Sequence, residues 1–450
     1  MNQKLRYGNC EKCNQIMTDF NWCKSCNSKN FQENFKNWTS GNDNIDKFIQ
    51  ETQLSAKCHY NVLEWVPYNR FQDVKYIAKG GFGKVYRAKW KDGFIFMWNY
   101  KNNGWNRLQN NMFVALKSLN NSKNVSIEFI NEVTSHHKMF NAHITSYIVR
   151  FYGITQDPET ENYMMILDYA ERGSLRNYLD QNYNDLKWVN KLQISFNIAA
   201  GLNQIHNEKL IHRDLHIGNI LCFPHKTFIT DLGLCKPADN TLKDTKDTRK
   251  NTYGVLPYIA PEVLQGQNYT KAADIYSFGI IMYEIILGLP PYYDVSHDEN
   301  LAIKICQGLR PRFNIKVPQL VVHLIKRCLD ANPLNRPTAE EIKEILDKWR
   351  KEANSRRFNP TELTKQIEEA EEINNNLSMR NLSSTNLKYE THSEAIYASR
   401  LLNFKNLPES KNSDDYYKQY DNISKSLQID ISQLKIYDED KLENIDEKIE

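Results

Sequence analysis

No stretch of this chain is apolar for long enough to cross a bilayer. The most apolar run, Ile280 to Leu289, is interrupted by Glu284 and stopped by Pro290 and Pro291, which excludes a spanning helix there. The opening residues, MNQKLRYGNC, lack the apolar centre of a signal peptide, and Asn2 stands where myristoylation needs glycine; the expectation is a reducing, cytoplasmic home. In that setting the nine cysteines are expected as thiols or metal ligands rather than disulfides. Charge of one sign is not in large excess either. Residues 1–350 hold 44 Lys+Arg against 35 Asp+Glu and residues 351–450 hold 14 against 20, a body of +9 with a tail of −6, too mild for nucleic acid to be an expected partner. There is no internal repeat of useful length, and residues 351–450 contain neither Gly nor Cys.

What is present divides by composition. Residues 1–30 are built on four cysteines, and residues 31–70 form a polar, Asn-rich connector in which Ile45, Phe48, Ile49 and Thr52 share one helical face, so it is expected to dock rather than to form a domain. Residues 71–349 open with strand-like alternation (Val74 to Ile77, Val85 to Trp90, Phe113 to Leu119) before helical periodicity takes over, the pattern of an α+β domain. Between its second and third strands, Asn103-Gly104 lies between aromatic-rich arms. This predicts an inserted β-hairpin, either a surface extension or a docking element. Residues 350–450 read as a mostly disordered tail. Within it, Pro360 to Ile373 carries a helical stripe of Leu363, Ile367 and Ala370.

The central domain contains, in order, the parts that phosphoryl transfer requires. IAKGGFGKVY, Ile77 to Tyr86, is a Gly-rich turn between two strands, where missing side chains let backbone N–H groups approach phosphate oxygens. Val114-Ala115-Leu116-Lys117 places a lysine on a strand, a point charge suited to phosphates that needs an anionic partner. In SIEFINEV that partner is Glu132, with Glu128, four residues earlier on the same face, as the alternative. In HRDLHIGN, Asp214 is placed to accept the proton of the acceptor hydroxyl, and Asn219 and the Asp231 of DLG to hold magnesium through oxygen.

Residues 71–349 thus resemble a eukaryotic protein kinase domain, closest to the tyrosine-kinase-like group; APE (Ala260, Pro261, Glu262), DIYSFG (Asp274 to Gly279) and NRPTA with Arg336 extend the match. With its cysteine segment and its YASRLLNFKNLPESKNSDDYY tail, the chain resembles members of an expanded fungal kinase family. The resemblance implies a bilobal fold, a small β-sheet lobe with one helix above a larger, mainly helical lobe. It also implies ATP and Mg2+ as cofactors, protein substrates and a role in intracellular signalling. It carries Lys117, Glu132, Asp214, Asn219 and Asp231 over as catalytic residues. The nucleotide-binding set it implies is Ile77, Ala78, Gly80, Gly81, Gly83, Val85, Ala115, Lys117, Leu167 as gatekeeper, Asp168 to Ala170 as hinge, and Leu221. It further implies that Glu262 pairs with Arg336 and that Asp274 braces the catalytic loop.

The chain departs from the family pattern in three respects, the third at a pair of positions. Ala78 replaces the first glycine of GxGxxG, and Leu232 replaces the phenylalanine of DFG. Serine/threonine kinases resemble one another in a lysine two residues after the catalytic Asp, paired with a threonine; here those positions are His216 and Val255. The arginine or alanine and the proline of tyrosine kinases are missing too. Every magnesium, lysine and base position survives, so the expectation is an active enzyme, serine/threonine by group resemblance. A pseudokinase scaffold and a tyrosine or dual-specificity kinase are the alternatives. If the His216 ring lies where the usual lysine contacts the γ-phosphate, only its protonated form supplies a full charge, and activity is expected to fade at alkaline pH. Thr241, Thr245, Thr248, Thr252 and Tyr253, with Arg213 as receiver, make the activation segment a candidate for phosphorylation by an upstream kinase or by the chain itself. Cys10, Cys13, Cys23 and Cys26 form two CxxC knuckles, expected to share one structural Zn2+; Cys58, Cys222, Cys235, Cys306 and Cys328 are expected as ordinary thiols.

Overall fold

Strands β2 (Phe71–Lys79), β3 (Gly83–Trp90) and β6 (Met112–Leu119) follow the alternation in the sequence. With β1 (Glu64–Trp65), β7 (Phe151–Gln156) and β8 (Tyr163–Asp168) they form one sheet in the order β1-β7-β8-β6-β3-β2, antiparallel except for β1 on β7. A computed structural model describes residues 7–79, 83–119, 122–125, 127–140, 146–237, 252–354, 360–380 and 389–413. The two-residue period of β6 sorts its side chains. Val114 and Leu116 are fully buried in one apolar cluster with Trp90 and Ile166, and Ala115 packs into a second cluster on the other face. Lys117, on the Ala115 side, reaches Glu132 of the helix Ile127–Phe140.

The connector completes this lobe. Asn42 caps the helix Asp43–Ser55 by accepting from the N–H groups of Asn44 and Ile45. The predicted stripe faces inward: Ile45, Ile49 and Thr52 are buried, and the two isoleucines share a cluster with Phe129 and Val133 of the helix beside the cleft. β1 then runs parallel to β7 so closely that a Cβ on Gly153 would stand 2.0 Å from the Glu64 carbonyl oxygen. That contact, with φ at +151°, explains a glycine in the middle of a strand.

The expected hairpin forms from β4 (Phe94–Asn99) and β5 (Gly104–Leu108). Of its two readings, docking element is the one observed within the chain. Trp105 stacks on Phe31 at 4.2 Å and on Trp22 at 5.9 Å between ring centroids, and these rings close a small core with Ile95 and Val62. The insertion therefore holds the cysteine segment against the small lobe.

Helices Trp188–Asn207 and Lys271–Leu287 are buried along most of their length and lie at the centre of the large lobe. Ala339–Asn354 packs along the first of them. Within the stretch read as a mostly disordered tail, two segments are structured on this lobe. One is the helix Glu362–Arg380, whose Leu363, Ile367 and Ala370 are buried as the stripe predicted. Asn374 fastens it by donating to the Lys316 carbonyl and accepting from the Lys316 N–H, both at 2.9 Å. The other is 389–413, whose strand Arg400–Leu402 pairs antiparallel with Thr252–Gly254. Local pattern could not reveal that pairing, because it joins residues about 150 positions apart whose strands are three residues each. Among the described residues, no helix is long and apolar enough to cross a membrane.

Candidate active site

The cleft between the lobes gathers the five residues named as catalytic. Lys117 Nζ lies 2.6 Å from Glu132 Oε1 and 3.0 Å from Asp231 Oδ1. Burial works against the lysine's charge, but the carboxylates of Asp231 and Glu132 hold its pKa above the ordinary lysine value. Burial likewise opposes ionisation of Asp231, and the ammonium of Lys117 outweighs it, leaving that carboxyl below the usual range. The side chain of Glu128, the alternative partner, lies outside the described residues. Ile77 and Ala78 end β2, Val85 pairs with Ala78, and Gly83 opens β3. Gly80 and Gly81 fall outside the described residues. Ala115 and Leu167 face each other across the β6–β8 ladder. Leu167 and Ala170 are buried, Leu221 packs at the edge of the cluster below them, and Asp168 accepts from Tyr152 Oη at 2.5 Å.

The catalytic loop is held in an unusual backbone shape. Arg213 (φ +71°) and Asp231 (φ +62°) both occupy the left-handed region that disfavours side chains. Asp274 bears the cost by accepting from the N–H of His212 at 2.8 Å and of Arg213 at 3.0 Å, and it also meets His206 Nε2 at 2.9 Å. Asn219 donates its amide Nδ2 to the Asp214 carbonyl at 2.9 Å, which leaves its amide oxygen for a cation. That oxygen and the Asp231 carboxylate are the hard donors that magnesium requires, so the residues fit the ion. Burial pushes the Asp214 carboxyl up to about 6, the range useful to a general base.

His216 behaves otherwise than a substitute lysine. Its Nδ1 accepts from the Gly218 N–H at 3.1 Å, and burial drives its pKa down to about 4. It is therefore a neutral ring at pH 7, and the alkaline fade expected from a charged imidazole loses its basis. Val255, the other altered position, is buried and borders the same small recess as His216 and Asp214. Leu232 is buried in the large-lobe core, where an apolar side chain suffices. Arg336 meets Glu262 through two bonds of 2.7 and 2.8 Å, as the resemblance implied. Thr241, Thr245 and Thr248 lie outside the described residues. The Arg213 guanidinium stacks on Tyr269 at 4.7 Å.

One participant was not legible beforehand. Ser399 Oγ, from the tail, donates toward Asp214 with oxygens 2.8 and 3.0 Å away, and lies 3.2 Å from His216 Nε2. The segment stood out in sequence only as a resemblance, with nothing to tie its serine to the loop.

In the cysteine segment, Cys10, Cys13, Cys23 and Cys26 bring their sulfurs within 4.8 Å of one another. The Cys10–Cys26 and Cys13–Cys23 sulfur separations are 3.8 and 3.4 Å. A tetrahedral zinc with bonds of about 2.3 Å would set its sulfurs roughly 3.8 Å apart. A turn closed by Asn14 N–H on the Cys10 carbonyl, and the start of the helix Lys24–Asn34 at Cys23, supply the two halves. The cluster could hold a metal ion.

A mostly antiparallel sheet over a helical lobe, with a lysine, two acids, an amide and a buried aspartate meeting in the cleft, defines the protein kinase class. The protein tyrosine and serine/threonine kinase family matches residues 71–346, and the chain belongs to it. It is 28% identical over 289 residues to a probable serine/threonine-protein kinase, drkD, of Dictyostelium discoideum, covering 63% of this chain and 20% of that protein. It is 29% identical over 280 residues to the tyrosine-protein kinase SPK-1 of Girardia tigrina, covering 60% and 51%. A putative serine/threonine-protein kinase/receptor of Acanthamoeba polyphaga mimivirus is 26% identical over 290 residues, covering 64% and 16%. The chain thus spans between a sixth and a half of the length of these relatives.

Proposed function

We propose that the chain is an ATP- and magnesium-dependent protein kinase that phosphorylates serine or threonine hydroxyls of protein substrates. The observation that carries this reading is the Lys117 ammonium, 2.6 Å from Glu132 and 3.0 Å from Asp231 in one cleft with Asp214. Lys117, fixed by Glu132, binds and orients the nucleotide phosphates. Asp214 orients the acceptor hydroxyl and takes its proton. Asp231 and Asn219 would hold magnesium, which when bound neutralises phosphate charge. Ala78, Val85, Ala115, Leu167 and Leu221 form the apolar wall for the base, with Asp168 to Ala170 alongside. The departures at Ala78 and Leu232 touch packing and affinity, and His216 removes the charge of one family lysine, whereas Lys117, Glu132, the base Asp214 and the magnesium positions Asn219 and Asp231 are retained. The serine/threonine preference is supported by two of the three relatives described above, which are named serine/threonine kinases, the third being named a tyrosine kinase.

Structural zinc in the cysteine cluster is part of the same proposal. Its four sulfurs suit a tetrahedral thiolate site, and a segment this small gains from metal ligation what its core lacks.

The test is purified full chain with labelled ATP, magnesium and a generic basic protein substrate, followed by phosphoamino-acid analysis. Label on serine or threonine, lost in Lys117→Met and Asp214→Asn, is the expected result. Label on tyrosine alone overturns the acceptor assignment, and no label overturns the kinase reading.

A further inference from the structure

The tail segment 389–413 lies across the large lobe as a peptide would lie on an enzyme that acts on it. Its strand Arg400–Leu402 pairs with Thr252–Gly254, in the register Arg400 opposite Gly254 and Leu402 opposite Thr252. Gly254 itself abuts the catalytic base, since a Cβ there would stand 3.3 Å from Asp214 Oδ1. The residue before Arg400 is thereby delivered to Asp214, and that residue is Ser399. Its hydroxyl sits 2.8 and 3.0 Å from the two carboxylate oxygens, within reach for proton transfer. Side chains on both flanks hold the register. Tyr397 donates to the Pro291 carbonyl at 2.9 Å, Arg400 donates to the His297 carbonyl at 2.6 Å, and Leu402 is buried in the lobe's core. Tyr253, opposite Leu401, donates to the Ser399 carbonyl at 3.1 Å.

We propose that Ser399 is an intramolecular phosphoacceptor, the tail being a tethered substrate of the chain's own cleft; this rests on the kinase reading above. Ser399 Oγ bonds to the γ-phosphorus of ATP as the bond from that phosphorus to the bridging oxygen of the diphosphate breaks. The hydroxyl proton passes to the Asp214 carboxylate, and ADP leaves with the bonding electron pair. The phosphoserine adds a charge of about −2 beside Asp214. Like charges repel across this buried contact, so the strand leaves Thr252–Gly254 and the cleft opens to other substrates. Until then, tethering keeps the tail at a high effective concentration and it competes with them.

The experiment uses phosphatase-treated full chain with ATP and magnesium over a wide range of chain concentrations. Ser399 phosphorylation is read by mass spectrometry and a generic basic substrate is followed in parallel. The expected result is phosphoserine at 399 forming at a rate independent of chain concentration, with an Asp214→Asn chain left unmodified at Ser399 when mixed with wild type. Leu402→Asp, which undocks the strand, should slow Ser399 modification and lower the KM for the generic substrate by on the order of tenfold. Phosphorylation of the generic substrate with Ser399 untouched overturns the proposal and leaves the kinase reading standing. Transfer to neither overturns both. A rate that rises with chain concentration overturns the intramolecular step.

Discussion

Replacing Arg336 by methionine removes one half of the most enclosed ion pair described in the molecule. The guanidinium is fully shielded and the Glu262 carboxylate 3% exposed. Among the described residues that carboxylate has Arg336 as its sole hydrogen-bonding partner, through the bonds of 2.7 and 2.8 Å. Arg336 also donates to the carbonyls of Asp330 and Ala272 at 2.8 and 2.9 Å. Its loss leaves a buried anion unmatched and removes the guanidinium from both carbonyls. Breaking a buried pair from one side costs about 3–5 kcal/mol, which for a domain of this size lowers Tm by roughly 6–20 °C. Glu262→Gln is milder, about 1–3 kcal/mol, because the arginine keeps its carbonyl acceptors and gains a neutral one. The double variant Arg336→Met/Glu262→Leu should recover part of the single loss, since neither charge is then stranded. The assay is thermal unfolding of the full chain at a fixed scan rate, followed by tryptophan fluorescence. A Tm for Arg336→Met within about 2 °C of wild type, or a double variant no more stable than Arg336→Met alone, would refute the reasoning.

Lys117→Met and Asp231→Asn are expected to weaken nucleotide binding and abolish transfer, whereas Asp214→Asn should abolish transfer with nucleotide affinity nearly unchanged, which calorimetry beside a kinase assay will separate. Chelation, or Cys10→Ser with Cys13→Ser, should release one zinc per chain and expose the Trp22–Trp105 contact to solvent while the large lobe stays folded; metal analysis without zinc in chelator-free protein would remove the ion. Because burial sets the His216 pKa near about 4, the ring becomes charged only as pH falls through that value and is neutral throughout the alkaline range. His216→Gln and wild type should therefore share one alkaline limb of kcat against pH, and a limb present only in the wild type would return a charged histidine to the mechanism. Gly153→Ala should destabilise strongly, since its Cβ would meet the Glu64 backbone at 2.0 Å, and unchanged thermal stability would mean that β1 does not lie there.

Parts whose chemistry is local could be read from the residues alone. Lys117, Asp214, Asn219 and Asp231 were readable because phosphoryl transfer needs such groups and their motifs follow one another as the resemblance to protein kinase domains implies. The stripes Ile45-Ile49-Thr52 and Leu363-Ile367-Ala370 were readable because a helix repeats every 3.6 residues, and the hairpin because Asn-Gly favours a turn. Tertiary structure decided what depends on distant chain segments meeting. Whether the hairpin was free or docked turned on Trp105 finding Phe31 and Trp22, ring contacts with no periodicity to announce them. His216 was expected to act through its charge, and burial beneath the tail and the Gly218 N–H made it neutral. The serine at Asp214 was invisible for the same reason: a three-residue strand carries almost no pattern, and its partner lies some 150 residues earlier in the chain. Proton transfer depends on a separation of about 3 Å, which local sequence does not encode and which only the packed chain supplies.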